Sequence, residues 1–504
     1  MKPSPKEVSI MTHNEAGRAM LALALSLTLS VASMPVYAQE SEPQVSDTQD
    51  YDYTGTENAQ VTNKNVKNKT VSSENPDENV VLANDGTATI NKATLKKAGD
   101  GSDDDSSNFY GINAIVLSVG SNAQANVWNS LLSSTSTGSN ALFATNEGTI
   151  YAYNDTIQTT ADNARGLDAT YDGTIIAKKV KVTTQGDHSA SLATDRGGGN
   201  VSVSNSTLST TGSGSPLIYS TGYIVVDDVT GTSTNSQIAS LEGDNTILIQ
   251  DSELNSTMTT KTTSDPMAYG IILYQSTSGD ADTSSSQTAH FQVKDSTLAS
   301  NIQSGAMFYV TNTKANIYLN NTKLDFDTSK ANLLTVAGND SNNWGQSGSN
   351  GGTVTFTAKK QTLKGNISVD DMSSLDLYLL KNTSYTGSIS GSADVSVDKT
   401  SKWVVTDDTT VNNLAVAKGT KIIDSKGKTV SIVANSKTVV KGDSSLTLTV
   451  TGNYSTTVTT TSINNAITST IDTTSFEAYY KNHKSWKFFM NEKIIEKNID
   501  KNEN

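Results

Sequence analysis

Acid-base chemistry needs titratable side chains held close together, and this chain is short of the most useful ones. Outside residues 1–38 its histidines are His188, His290 and His483, and its arginines are Arg165 and Arg196. Glu147 and Asp172 fall at one position of an internal repeat, with Arg196 from the following copy one residue off. Carboxylates stacked one repeat apart raise each other's pKa unless a cation neutralises them. Glu147, Asp172 and Arg196 therefore form a candidate ion cluster, with a catalytic or calcium site as the alternative. Asp227-Asp228 is a second acidic pair, with no histidine or arginine near it in sequence. Hard cations need several oxygens on a loop, so Asp103, Asp104 and Asp105, with Asp100 close by, are candidate calcium ligands. Asp280-Ala-Asp282 is another. No other cofactor is suggested: the chain has no cysteine, which removes thiol catalysis, zinc-thiolate sites and disulfides. It also has no Gly-x-Ser-x-Gly, His-Glu-x-x-His or phosphate-loop motif.

These residues are positioned by a repeat. ALFATNEGTIYAYNDTIQTT, GLDATYDGTIIAKKVKVTT and SLATDRGGGNVSVSNSTLST follow one another, and Leu142, Leu167, Leu192 and Leu217 recur at a spacing of 25 residues. Such a period, too short for a domain, marks a solenoid. Each copy carries an apolar-x-apolar step with a further apolar residue five positions on, as in Ile150, Ala152 and Ile157 or Ile175, Ala177 and Val182. Period two means strand. The pattern runs from Ala88 to Leu324; at Ile224 and Val226 the last apolar residue is missing, which reads as a slip of register. A turn of 25 residues has no room for a crossover helix, so like pieces must stack as parallel strands. Parallel connections are nearly always right-handed. The expected fold is all-β: a right-handed parallel β-helix with Leu142, Leu167, Leu192 and Leu217 in one buried column.

The segmentation follows from composition. Residues 1–38 read as a signal peptide, with Lys2, Lys6 and Arg18 ahead of an apolar run over 19–32 and Val36-Tyr37-Ala38 as cleavage site. This predicts a secreted or cell-surface protein with no transmembrane segment after signal removal. Residues 39–78 are polar and predicted to be a disordered leader. The β-helix is expected over 79–358. Residues 359–478, with Leu363, Ile367, Leu375, Leu377 and Leu379 and then the runs 429–433 and 446–450, are read as its continuation and a β-rich cap over the open end. Residues 479–504 are a Lys-rich tail with Trp486, Phe488 and Phe489. A net charge of -14 argues against nucleic acid as a partner.

The stacked copies resemble the pectin lyase-like β-helices. Gly365-Asn-Ile367, Gly387-Ser-Ile389, the run Lys402-Trp403-Val404-Val405-Thr406 and Val411-Asn-Asn-Leu414 resemble secreted bacterial adhesin-like proteins and autotransporter passengers. Polygalacturonases of that fold share an Asp-Asp pair followed by Gly-His-Gly and Arg-x-Lys, and Asp227-Asp228 has neither partner. There is also no Leu-Pro-x-Thr-Gly sorting motif and no translocator-like barrel. The resemblance implies an adhesin-like binding or structural protein rather than an enzyme, contacting glycans or protein surfaces. A polysaccharide lyase or glycoside hydrolase on the same fold is the alternative. Insertions that lengthen the repeat, at 96–111, 256–265, 275–289 and 337–352, are the expected binding loops, with Phe109, Tyr110 and Trp344 as the candidate contact residues.

Overall fold

A computed structural model describes residues 50–262, 265–281, 288–340 and 344–458. The predicted signal peptide and Lys-rich tail lie outside these residues. Among them, strands that lie a full repeat apart pair in parallel, and two long sheets result. One has 13 strands, from Ala59–Thr62 to Ile389–Ser390; the other has 23, with two arms per turn such as Thr149–Tyr153 and Thr156–Thr159. The stack is a parallel β-helix.

The second sheet contributes three apolar columns to the interior. Ile150, Ile175, Val201, Ile224, Ile247, Phe291 and Ile317 are partners from one turn to the next, and Ala152, Ala177 and Val203 belong to a second column. Leu132, Ile157, Val182 and Leu208 form the third on the other arm. These residues have 0 to 3% of their surface exposed. At roughly 25 cal/mol per Å² of buried apolar area, that thin core is the main favourable term.

On the first sheet Leu142, Leu167 and Leu192 stack as expected, but the next member of the column is Ile218. Leu217 is buried too, one residue out of register. The cause is one extra residue in the corner at Gly197, Gly198 and Gly199, where Gly173 aligns with Gly199. The slip expected at Ile224 and Val226 does not occur. Gly231 stands in line with Leu208 and Leu254. A Cβ there would lie 2.8 Å from Leu217 Cδ1, so the out-of-register leucine fills the space a side chain would need.

Corners are made by residues with left-handed backbone, the region that Asn, Asp and Gly tolerate best. Asn129, Asn154, Lys179, Asn205, Asp228, Asp251, Asp295 and Asn321 form one such column, φ 46 to 56°. Buried corner N–H groups must still find acceptors. Ser206 Oγ accepts from Val180 N (3.0 Å), Ser252 Oγ from Val229 N (3.1 Å) and Ser296 Oγ from Ser252 N (3.0 Å). This explains the hydroxyl just after Asn129, Asn205, Asp251, Asp295 and Asn321; after Asn154 the acceptor is Asp155, which accepts from Ser130 N at 2.7 Å.

Three boundaries differ from expectation. The segment 39–78 is not wholly a leader: Ala59–Thr62, Asn65–Lys67 and Thr70–Ser73 pair with the following turn and make a first rung. Its apolar residues Val61, Val66 and Val71 are too sparse to stand out in so polar a stretch. The insertion 96–111 contains a helix, Asp104–Tyr110. Beyond 359 the second arm separates into a four-stranded sheet from Thr362–Lys364 to Ile423–Asp424. The end then carries the antiparallel hairpin Ser431–Ala434 and Lys437–Val440, paired also with Thr447–Val450. No helix among the described residues is long and apolar enough to cross a membrane.

Ile175 is fully buried in mid-stack, while Thr183 on the neighbouring arm is half-buried between in-register Gln158 and Ser209. Ile175→Asp should cost several kcal/mol, enough to prevent folding. Thr183→Asp should change stability by no more than about 0.5 kcal/mol. Thermal melts of the two variants check this, and equal tolerance would reverse inside and outside.

Candidate functional site

Alternation on the first sheet sends Leu142, Ala144, Leu167 and Ala169 into the core. The residues between them, Phe143, Asp168, Tyr219, Ile272 and Tyr309, therefore face the other way. The insertions fold over this outward face, because each leaves the stack at one end or the other of a first-sheet strand.

The first insertion lays its helix on the face. Asp103 caps it, accepting from Ser106 N at 2.8 Å, and Asp104 and Asp105 occupy the first turn, where negative charge suits the helix dipole. The acidic run proposed for calcium is thus accounted for as a helix start. Asp100 accepts from Thr137 N at 2.9 Å. Among the described residues no three His, Asp or Glu side chains are grouped to hold a metal. Phe109, expected as an exposed contact residue, is buried: its carbonyl accepts from Thr170 Oγ1 (2.8 Å) and its ring lies 3.8 Å beneath the Arg196 guanidinium. Tyr110 is half-exposed. It stacks on Tyr171 at 5.5 Å, meets Tyr51 edge-on at 5.5 Å and Tyr53 at a tilt at 5.1 Å, and donates to Asp52.

Beneath the helix lies the ion network. Arg165 reaches Asp168 through Nη1 (3.3 Å) and Asp195 through Nη2 (3.0 Å), and Nη1 also donates to Asn108 Oδ1 of the helix at 2.9 Å. One guanidinium serves two buried carboxyls. Burial pushes Asp168 up to about 6, and the shared Arg165 only partly offsets it. Asp195 is raised well above the usual carboxylate range, first by burial and then by Asp168 and Asp280, against the pull of Arg165. Further along the face Arg196 pairs with Asp280 of the third insertion at 3.1 Å. Glu242 accepts from Tyr219 and Tyr274, each at 2.8 Å, and from Ser276. Burial raises its pKa as well, and those three donors oppose the rise. Trp344 of the last insertion lies over Tyr274 at 4.7 Å. Tyr269 donates to Asp265 of the second insertion at 2.7 Å and stacks on Tyr309 at 6.0 Å.

The cluster expected from the repeat is different from the one that forms. Glu147 and Asp172 are exposed corner residues in left-handed conformation, φ 65 and 62°, while Arg196 turns to Asp280 and Phe109. The sequence pattern assigned no role to Arg165, Asp168, Asp195 or Glu242. Arg165 and Asp168 lie three apart and Asp195 one turn on, so the repeat itself holds the signal once its true register is known. Asp228 is itself a corner residue, and burial raises the neighbouring Asp227, with Asp251 and Asp228 adding to it. His188 is exposed, and burial lowers the pKa of His290, whose Nδ1 is 3.4 Å from Asn316 Nδ2. His483 and Asp282 are outside the described residues.

What results is a strip of half-exposed aromatic and charged groups, Tyr110, Arg196, Asp280, Tyr219, Tyr274 and Trp344, over a sealed ionic foundation. No protein-family model matches the chain, and no curated protein matches it.

A buried carboxyl with a raised pKa favours the folded state only while protonated. The contribution of Asp168 is full below the unfolded pKa near 4 and is lost as pH rises through about 6. Asp168→Asn should therefore gain on the wild type steadily between pH 4 and 6 and hold level above, measured as the difference in melting temperature. Arg165→Ala should cost about 3–5 kcal/mol, because two buried carboxyls lose their counter-ion.

Proposed function

We propose that this chain is an adhesin-like binding and structural protein, secreted or held at a cell surface, which contacts glycans or protein surfaces through the strip on its first sheet. The observation that carries the proposal is the convergence of four insertions on one face, where Tyr110, Tyr274 and Trp344 stand half-exposed beside Arg196 and Asp280. Aromatic faces supply apolar contact area at little entropic cost, and neighbouring carboxylates and hydroxyls suit the hydroxyls of sugars. Rigid strands beneath hold the set in place, so a ligand does not have to order it. Secretion rests on the composition of residues 1–38.

A polysaccharide lyase or hydrolase is the second reading, favoured by the raised carboxyls Asp168, Asp195 and Glu242 beside two arginines. General acid-base catalysis requires such a group within hydrogen-bond reach of the substrate. Asp168, Asp195 and Glu242 have 0, 3 and 2% of their surface exposed, which supports binding over catalysis.

Replacing Tyr110 and Trp344 together by alanine should reduce attachment in a whole-cell or glycan-array assay at least about tenfold, the loss expected when interface anchors are removed. The variant should still melt well above the assay temperature. Unchanged attachment by a folded variant overturns the assignment of the strip. Cleavage of a polyuronide by the wild-type chain would replace the binding reading by the enzymatic one.

A further inference from the structure

The second sheet bears a groove that the strip does not use. It runs along the bend between the two arms of each turn, from the rung of Asp228 to that of Lys360, and encloses about 920 Å³. Its floor is made by Val229, Ser252, Ser296 and Thr322, which are buried. Those hydroxyls are already engaged with the backbone: Ser252 and Ser296 accept corner N–H groups, and Thr322 donates to Val293 O at 3.2 Å. Recognition in the groove therefore falls to its rim, and the rim is dipolar. Asp228, then Asp251 and Glu253, occupy two successive rungs, Asp295 on the third is paired with Lys294 at 3.6 Å, and Lys360 and Lys364 occupy the last. Between them Lys323 and Asp325 neutralise one another at 2.7 Å. The groove is thus acidic at one end and basic at the other.

Four rung-to-rung steps of roughly 4.8 Å separate the ends, about 19 Å in all. An extended peptide covers that distance in about six residues at roughly 3.3 Å each. A polyamine or a polyanion would match one end and be repelled at the other. We propose that this groove is a second binding site, which takes an extended peptide segment with basic residues at one end and acidic residues at the other. Charge complementarity orders the peptide along the solenoid axis, and the internally satisfied floor makes the site tolerant of the residues between.

The test uses the whole chain and two labelled hexapeptides of equal composition, Lys-Arg-Gly-Ser-Asp-Glu and the alternating Lys-Asp-Gly-Arg-Ser-Glu, read by fluorescence anisotropy at low salt. The segregated peptide should bind at least tenfold more tightly than the alternating one. Asp251→Lys with Glu253→Lys, or Lys360→Glu with Lys364→Glu, should each weaken it at least tenfold. With all four changes the segregated peptide should lose its advantage over the alternating one, because the carboxylates of Asp228 and Asp295 remain among the introduced lysines and that end carries no single sign. These positions are exposed, so the variants keep the fold, and a melt of each verifies it. Equal binding of the two peptides, indifference to both charge swaps, a preference for the segregated peptide that survives in the fourfold variant, or equal affinity for spermidine alone would overturn the proposal.

Discussion

Everything in this protein depends on the hydrogen-bond ladder between turns. A parallel ladder fixes which residue lies above which, so a choice made in one turn is imposed on its neighbours. An inward Ile175 needs Ile150 below it and Val201 above it, and a polar residue in that column would leave three turns unsatisfied. The same rule explains how a chain so poor in apolar residues folds: each turn completes its core with the turns on either side. It also explains the pairing of Gly231 with Leu217. One residue added at Gly197 pushes a leucine out of line, and a glycine one turn later makes the room.

The ladder was the legible part. Equal spacing of leucines, the period-two steps and the Asn and Asp corners predict a parallel β-helix, and the strand register agrees for most of the stack. What escaped were quantities that turn on single residues. Counting by 25 put Glu147 and Asp172 against Arg196, although corners absorb insertions and Arg196 points elsewhere. The first rung was hidden because Val61, Val66 and Val71 carry so little apolar weight. The helix Asp104–Tyr110 was read as an acidic loop, although Asp103 with two further acidic residues and a closing Gly111 is also how a short helix begins and ends. Composition showed carboxylates, and only the fold shows that backbone N–H groups already use some of them.

Buried charge on the outward face of the first sheet follows from the insertions. An outward Asp168 would be solvated in a plain solenoid; here the helix covers it, and Arg165 becomes its counter-ion and a tie to Asn108 at once. Removing one partner from such a network is costly even where the intact network contributes little net stability. It nonetheless gives the helix a single seat, because only one placement lets Asn108 meet Arg165 while Thr170 donates to Phe109 O.

The two surfaces proposed for binding differ in kind for the same reason. On the first sheet the repeat is interrupted, insertions are free to bring unlike residues together, and the result is a local, irregular set of aromatics and ions. On the second sheet the corner column is uninterrupted, so the chain can vary charge only rung by rung, and a gradient from Asp228 to Lys360 is what such variation can produce. A ligand read by the strip is recognised by shape and stacking at one place. A ligand read by the groove is recognised by the order of its charges over a distance, and its length must match the number of turns. A solenoid offers both because its regular stack sets distance while its corners, which alone tolerate insertion, set local chemistry.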